Sequence, residues 1–261
     1  MDIVTTREDV WGREVLLGVS WDLLWVVVAL TFAAIVVHLL VMAFLHKEQP
    51  PSAAGKQLSR HAAVDRGFHW IMAVCVFVLL ITGVLPIIGI KFSWLSLHWI
   101  AGLILTAIVI LHVIRSLFWQ SPKTMWVEAR DFQEPFDPEI KAGKYSLAQK
   151  SMHHTMTVVV LAVIVTGLVL LALIDTPFWE RSNAMAESTL GWMFVLHGLS
   201  TLALIALTTL HVYFAIRPEK RFYTRSMISG WISENEHAAN HDPARWLPAG
   251  ADVRDGIDDS A

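Results

Sequence analysis

Residues 97–112 read LHWIAGLILTAIVILH, and residues 196–211 read LHGLSTLALIALTTLH. Each stretch has a histidine in its second position and another at its end, His98 and His112 in the first, His197 and His211 in the second, with no charged residue between them. Fourteen residues advance an α-helix by about 21 Å and bring the side chain back to within about 40° of its starting direction. Each stretch therefore reads as a membrane-crossing helix with two imidazoles on one face, one near each side of the bilayer. Ionisable side chains inside a bilayer are costly and mark function, so these two helices decide how the chain is read.

The same pattern extends upstream. His69-Trp70 precedes Thr82-Gly83, and His153-His154 precedes Thr166-Gly167, with thirteen residues from the first histidine to the threonine in both copies. One helix pair thus occurs twice after residue 66. Repeats related by an axis along the membrane normal build bundles whose functional site lies between the halves.

Composition agrees with a membrane location. The 261 residues are 55% hydrophobic and only 16% charged, with a mean hydropathy of +0.52. That is too little charge to cover the surface of a water-soluble domain. Five apolar segments are long enough to span a bilayer, at roughly 22–45, 68–90, 95–118, 152–174 and 190–216. The first lacks a small-residue cleavage site and is read as a retained helix. Of the twenty Lys and Arg residues, all but Arg7, Arg13, Lys91 and Arg181 lie in the connections at 46–66 and 115–150 or after 216. The positive-inside rule then puts the N-terminus outside and the C-terminus in the cytoplasm of the cytoplasmic (inner) membrane. The net charge of -3 gives no reason to expect a nucleic-acid partner. The single cysteine, Cys75, excludes an internal disulfide and a cysteine-ligated iron–sulfur cluster.

The fold expected is all-α: a five-helix integral membrane protein, with a four-helix bundle plus one extra N-terminal transmembrane helix. Its parts are an N-terminal segment with the extra helix and linker (1–64), the bundle (65–235) and a polar tail (236–261) that ends in Asp252, Asp255, Asp258 and Asp259 and is expected to be poorly ordered after 240. The loop at 119–150 is interrupted by Pro122, Pro135 and Pro138. Trp21 and Trp25 suit an interfacial belt on the first helix, which is read as a contact for a partner or another copy.

Two helices with paired histidines can clamp two haems, one above the other, each iron held by two neutral imidazoles. His98 and His197 lie at matching depth and pair at one level. At the other level His211 has several candidate partners by spacing: His69, His112, His153 and His154. Gly102, one turn after His98, and Gly198, beside His197, are read as gaps against which a flat porphyrin lies, or as sites of close helix packing. His38 has no counterpart in the repeat and is read as a packed residue. His46, His61, His237 and His241 fall outside the spans and are assigned no role.

The strings DRGFHW (65–70), LITG (80–83), LHWIAG (97–102), GKYSLAQK (143–150), VTG (165–167), LHG (196–198), LHVYFA (210–215) and SMISGWIS (226–233) occur in this order. In them the chain resembles the cytochrome b (gamma) subunit of respiratory formate dehydrogenases, within the bacterial cytochrome b561-like di-haem proteins. The resemblance covers about 65–245 and implies two b haems, one on His98 and His197, the other on His69 and His211, with His112 the runner-up ligand. It implies a quinone, menaquinone or ubiquinone, beside the inner haem at Ser146, Gln149 and His211. Ser146 and Ala148 stand where the family has Asn and Gly. His153 and His154 fall where the family often has an aromatic residue. It also implies an iron–sulfur subunit and a molybdenum or tungsten catalytic subunit as partners, with electrons passing from the periplasmic side through the haems to the quinone pool. The alternatives are a cytochrome b serving a hydrogenase or another molybdenum or tungsten dehydrogenase, and a stand-alone b561-type reductase.

Overall fold

The computed structural model describes residues 2–45, 51–137 and 139–248. Among these, five helices are long and apolar enough to cross a membrane: α1 (Asp22–Leu45), α2 (Ala63–Val84), α3 (Leu95–Trp119), α4 (Leu147–Leu171) and α5 (Glu187–Ile216). All five expected spans are present, and the chain is a multi-pass membrane protein. Helices α2 and α4 differ in their ends from the apolar windows. Helix α2 begins at Ala63 and stops at Val84, where Pro86 and Gly89 (φ 91°) close a turn, and α4 begins at Leu147. Apolar windows locate the bilayer, whereas backbone hydrogen bonding continues into polar flanks that can be capped.

The chain divides into two units, the first drawn from residues 1–45, 71–114 and 152–211, the second from 46–70, 115–151 and 212–261. In the first, the spans seldom bring their backbones within 8 Å of one another. One small core, Cys75, Leu79, Ala101 and Leu105, joins α2 to α3, with Val160 and Ile164 of α4 packed on it. Another, Val19, Leu24 and Leu202, joins the start of α1 to α5.

Before α1 the chain forms a β-hairpin that the apolar windows do not reveal: β1 (Val4–Glu8) pairs antiparallel with β2 (Glu14–Val19). The turn is built by Asp9, whose carboxylate accepts from the N–H groups of Trp11 (2.8 Å) and Arg13 (2.9 Å), and by Gly12 at φ 74°. The hairpin lies against α5. A Cβ on Gly191 would come within 2.6 Å of the Leu16 carbonyl oxygen, and one on Gly198 would overlap the Val19 side chain.

The second unit is a polar structure made of the linker, the loop after α3 and the tail. β3 (Gln57–Ser59) pairs antiparallel with β4 (Trp231–Ser233). Helix α6 (Arg221–Ser229) ends at Gly230, whose φ of 93° turns the chain into β4, and α7 (Glu234–Asn240) follows with a Ser233/Glu236 capping box. Leu58, Phe222 and Ile232 form the core of this unit. Sequence reading divides linker, bundle and tail at residues 64 and 235; here linker and tail lie in one unit, in which His241 is fully buried against Arg60. His46, Pro138 and the four aspartates after residue 250 lie outside the described residues.

Candidate haem-ligand site

His98, near the start of α3, and His197, in the first third of α5, face each other with ring centroids 6.4 Å apart and planes at 71°. Each ring is held from behind by the threonine of its own repeat. Thr82 Oγ1 lies 2.8 Å from His98 Nδ1, and Thr166 Oγ1 lies 2.9 Å from His197 Nδ1. Both threonines are buried, and both hydroxyls also lie on the carbonyl one turn back in their own helix, Val78 at 2.7 Å and Ala162 at 2.6 Å. The glycine after each threonine gives the ring room: an ideal Cβ on Gly83 would sit 3.6 Å from His98 Cε1, and one on Gly167 3.4 Å from His197 Cε1. Trp94 stands edge-on to His98, 6.0 Å between centroids. The repeat seen in sequence is therefore a repeat of one local arrangement: helix, Thr-Gly seat, imidazole.

The other histidines are placed as follows. His69 is half-buried on α2 in the second unit, its ring 5.3 Å from that of Trp70. His211 is on α5 in the first unit. His153 and His154 lie edge to face, 5.7 Å apart, near the start of α4, and His112 of α3 is an electrostatic neighbour of His153.

A family profile described as prokaryotic cytochrome b561 matches residues 60–230. The chain belongs to that family. It is also similar to the formate dehydrogenase cytochrome b556 subunit of Haemophilus influenzae, 24% identical over 212 residues that cover 73% of this chain and 82% of that relative. The family implies haem b, and the His98–His197 pair fits it: with Nδ1 of each ring held by threonine, Nε2 is the nitrogen left for iron, and the two imidazoles, 6.4 Å apart between centroids, could supply the two protein ligands that a haem iron takes.

The two glycines expected to make room for a porphyrin differ. At Gly102 the nearest atom to an ideal Cβ is Leu79 Cδ2 at 3.9 Å, so no side chain crowds that position. Gly198 is buried against Val19, with Trp21 beyond, and its missing side chain admits the end of the hairpin, the packing alternative for this residue. Sequence reasoning had no strand here to place against it.

Ser146 and Gln149, expected at a quinone site, cap α4. The Ser146 N–H donates to Gln149 Oε1 (3.0 Å) and the Gln149 N–H to Ser146 Oγ (3.3 Å), while the Leu147 N–H donates to Glu134 (2.8 Å). This Ser-x-x-Gln box satisfies donors that any helix start leaves open, and it gives both side chains a structural task.

Sequence reasoning used Thr82 and Thr166 as markers of the repeat without giving them chemistry; their equal spacing from the first histidine of each copy was the signal. It also gave His61 and His241 no role. Arg60, 4% exposed, donates to His241 Nε2 (2.8 Å), to the Lys144 carbonyl (2.7 Å) and to His61 Nε2 (3.2 Å), and its guanidinium lies 4.7 Å from the Tyr223 ring centre and 5.1 Å from that of Trp246. His241 Nδ1–H donates in turn to the Gly143 carbonyl (2.6 Å). Burial, then the Arg60 charge, holds both His61 and His241 down to about 3, so both are neutral acceptors at physiological pH. Burial pushes Tyr223 up to about 12 against the pull of Arg60. Asp131, fully buried, pairs with Lys150 (2.6 Å) and with Arg245. Its burial raises its pKa, but hydrogen bonds from the Glu128 N–H, Lys150 and Arg245 outweigh that and hold it at about 2.

Proposed function

We propose that this chain is the electron-carrying membrane subunit of a respiratory oxidoreductase of the formate dehydrogenase kind, working between an iron–sulfur subunit with its catalytic partner and a quinone. His98 and His197 are the ligand pair for one haem, and His69 and His211 for the second, with His112 the alternative to His69. When bound, the haems supply one-electron oxidation and reduction. The chain's own residues fix the imidazoles, set their spacing and exclude water from the first unit. The observation that carries this reading is the facing His98–His197 pair, each ring seated on the threonine of its own repeat.

Orientation follows from charge: the Lys- and Arg-rich connections face the cytoplasm of the inner membrane, which puts the His98–His197 level toward the outside and quinone chemistry toward the inside. The quinone assignment rests on resemblance in the GKYSLAQK segment, where Gln149 keeps its amide N–H groups and Ser146 its hydroxyl proton. The formate assignment rests on the relative named above.

The test is a haem count with reduced-minus-oxidised spectra on the purified protein. Two b-type components are expected, one of them lost in both His98→Ala and His197→Ala, the other lost in His211→Ala. Retention of both components in His98→Ala would sink the ligand assignment. Co-purification with mass identification of the partner chains tests the place in a larger complex.

A further inference from the structure

The Thr-Gly pairs do more than seat the two rings. We propose that Thr82 and Thr166 are positioning residues that lock the tautomer of His98 and His197 and, with it, the redox poise of the haem these two residues hold. The proposal rests on the ligand reading above. A threonine hydroxyl has one proton. In both copies the oxygen lies 2.6–2.7 Å from a backbone carbonyl of its own helix, Val78 or Ala162, which can only accept, so that proton goes there. The contact with the imidazole, at 2.8 and 2.9 Å, must then run the other way, from Nδ1–H to the hydroxyl oxygen. Each ring is held as the Nδ1–H tautomer, with the lone pair on Nε2. A hydroxyl that is already donating is a better acceptor. Drawing on the Nδ1 proton makes Nε2 a stronger donor, and a stronger donor favours the more positive, ferric iron.

The arrangement is specific in three respects. It occurs once per repeat, at matched distances. It is dry, both threonines being almost wholly buried, so water cannot substitute for the hydroxyl. The following glycine in each copy keeps a side chain away from the Cε1 edge of the ring. A threonine that only back-bonded to its own helix would need neither the histidine distance nor the glycine.

The experiment is a potentiometric redox titration of the purified protein, followed by absorbance and electron paramagnetic resonance, with His98→Ala identifying the component concerned. Thr82→Val and Thr166→Val keep the shape of the side chain and remove the acceptor. In each, the ferrous-to-ferric ratio of that component at fixed potential should rise roughly three- to tenfold, the other component staying in place. The double variant should show about the product of the two effects. Thr82→Ser and Thr166→Ser keep the hydroxyl and should return the component to its wild-type poise. Thr82→Ala provides a second form of the same deletion if the valine variant does not accumulate.

Valine and alanine variants with wild-type poise and unchanged resonance g values would overturn the proposal, as would serine variants that shift as far as valine. Both components surviving in His98→Ala would overturn the ligand reading itself, a result separable from the threonine outcomes.

Discussion

The two units handle polar groups in opposite ways. In the first, the buried polar side chains beside His98 and His197 are hydroxyls, each placed between a carbonyl of its own helix and an imidazole, among helices that keep their distance. In the second, full charges are buried: Asp131 between Lys150 and Arg245, Arg60 between neutral histidines and aromatic rings. A bilayer offers no water to an unsatisfied group and little hydrophobic drive between helices, so the first unit is held by packing. The polar unit has a water-driven core at Leu58, Phe222 and Ile232 and can meet the cost of ordering charged side chains. Cofactor retention and fold stability should therefore respond to different substitutions.

The largest expected effect is at Asp131. Asp131→Asn removes the buried charge that pairs with both Lys150 and Arg245 and should cost about 3–5 kcal/mol, read as a lower unfolding midpoint in detergent, while haem spectra of the surviving protein stay normal. Loss of haem in step with loss of stability would break the distinction between the units. Next is a pair of deletions. Leu58→Ala, in the water-driven core, should cost about 2–5 kcal/mol. Leu105→Ala, equally buried, should cost clearly less in a lipid environment, because only packing is lost there. Equal costs would show that the two cores form for the same reason. Gly198→Val forces a side chain into Val19 and should cost about 1–3 kcal/mol, whereas Gly102→Ala should leave the melting midpoint nearly unchanged and act on haem content.

Changing the pH acts on the second unit as well. His61 and His241 have folded values near 3, below the ordinary 6.5. The native state then binds fewer protons than the unfolded chain between these values. The stability these two residues contribute is complete above about 6.5 and is lost as pH falls toward 3. Melting midpoints measured at pH 7 and pH 5 should fall at the lower pH, and His241→Gln should flatten the dependence. Asp131 adds its own loss only as pH drops from its ordinary 3.8 through about 2.

What the sequence makes legible follows from periodicity. Histidines fourteen apart on one helix, repeated on another, place His98 against His197 because depth and face are both fixed by helix geometry. The Thr82–His98 and Thr166–His197 bonds are tertiary, and spacing within one helix gives no account of which neighbouring helix supplies an acceptor. The hairpin escapes notice because a search for apolar runs passes over VTTRE and EVLLGV, although alternation around Asp9 and Gly12 marks a turn. Ser146 and Gln149 carry two legible signals at once: their three-residue spacing is a capping box, and the segment that holds them resembles a quinone motif. Burial of His241 depends on Arg60, a pairing that no local pattern announces.

That pairing sets the order in which the molecule can be completed. Arg60 and His241 stand 181 residues apart in the chain, and β3 waits for β4 over nearly the same interval. Closing so long a loop is slow and has to follow the local steps. During synthesis every membrane helix has left the ribosome before the linker meets its partner strand. Until then Leu58 and the Arg60 guanidinium lack the cover they have in the folded unit, and apolar surface left open in this way favours aggregation of an incompletely folded chain.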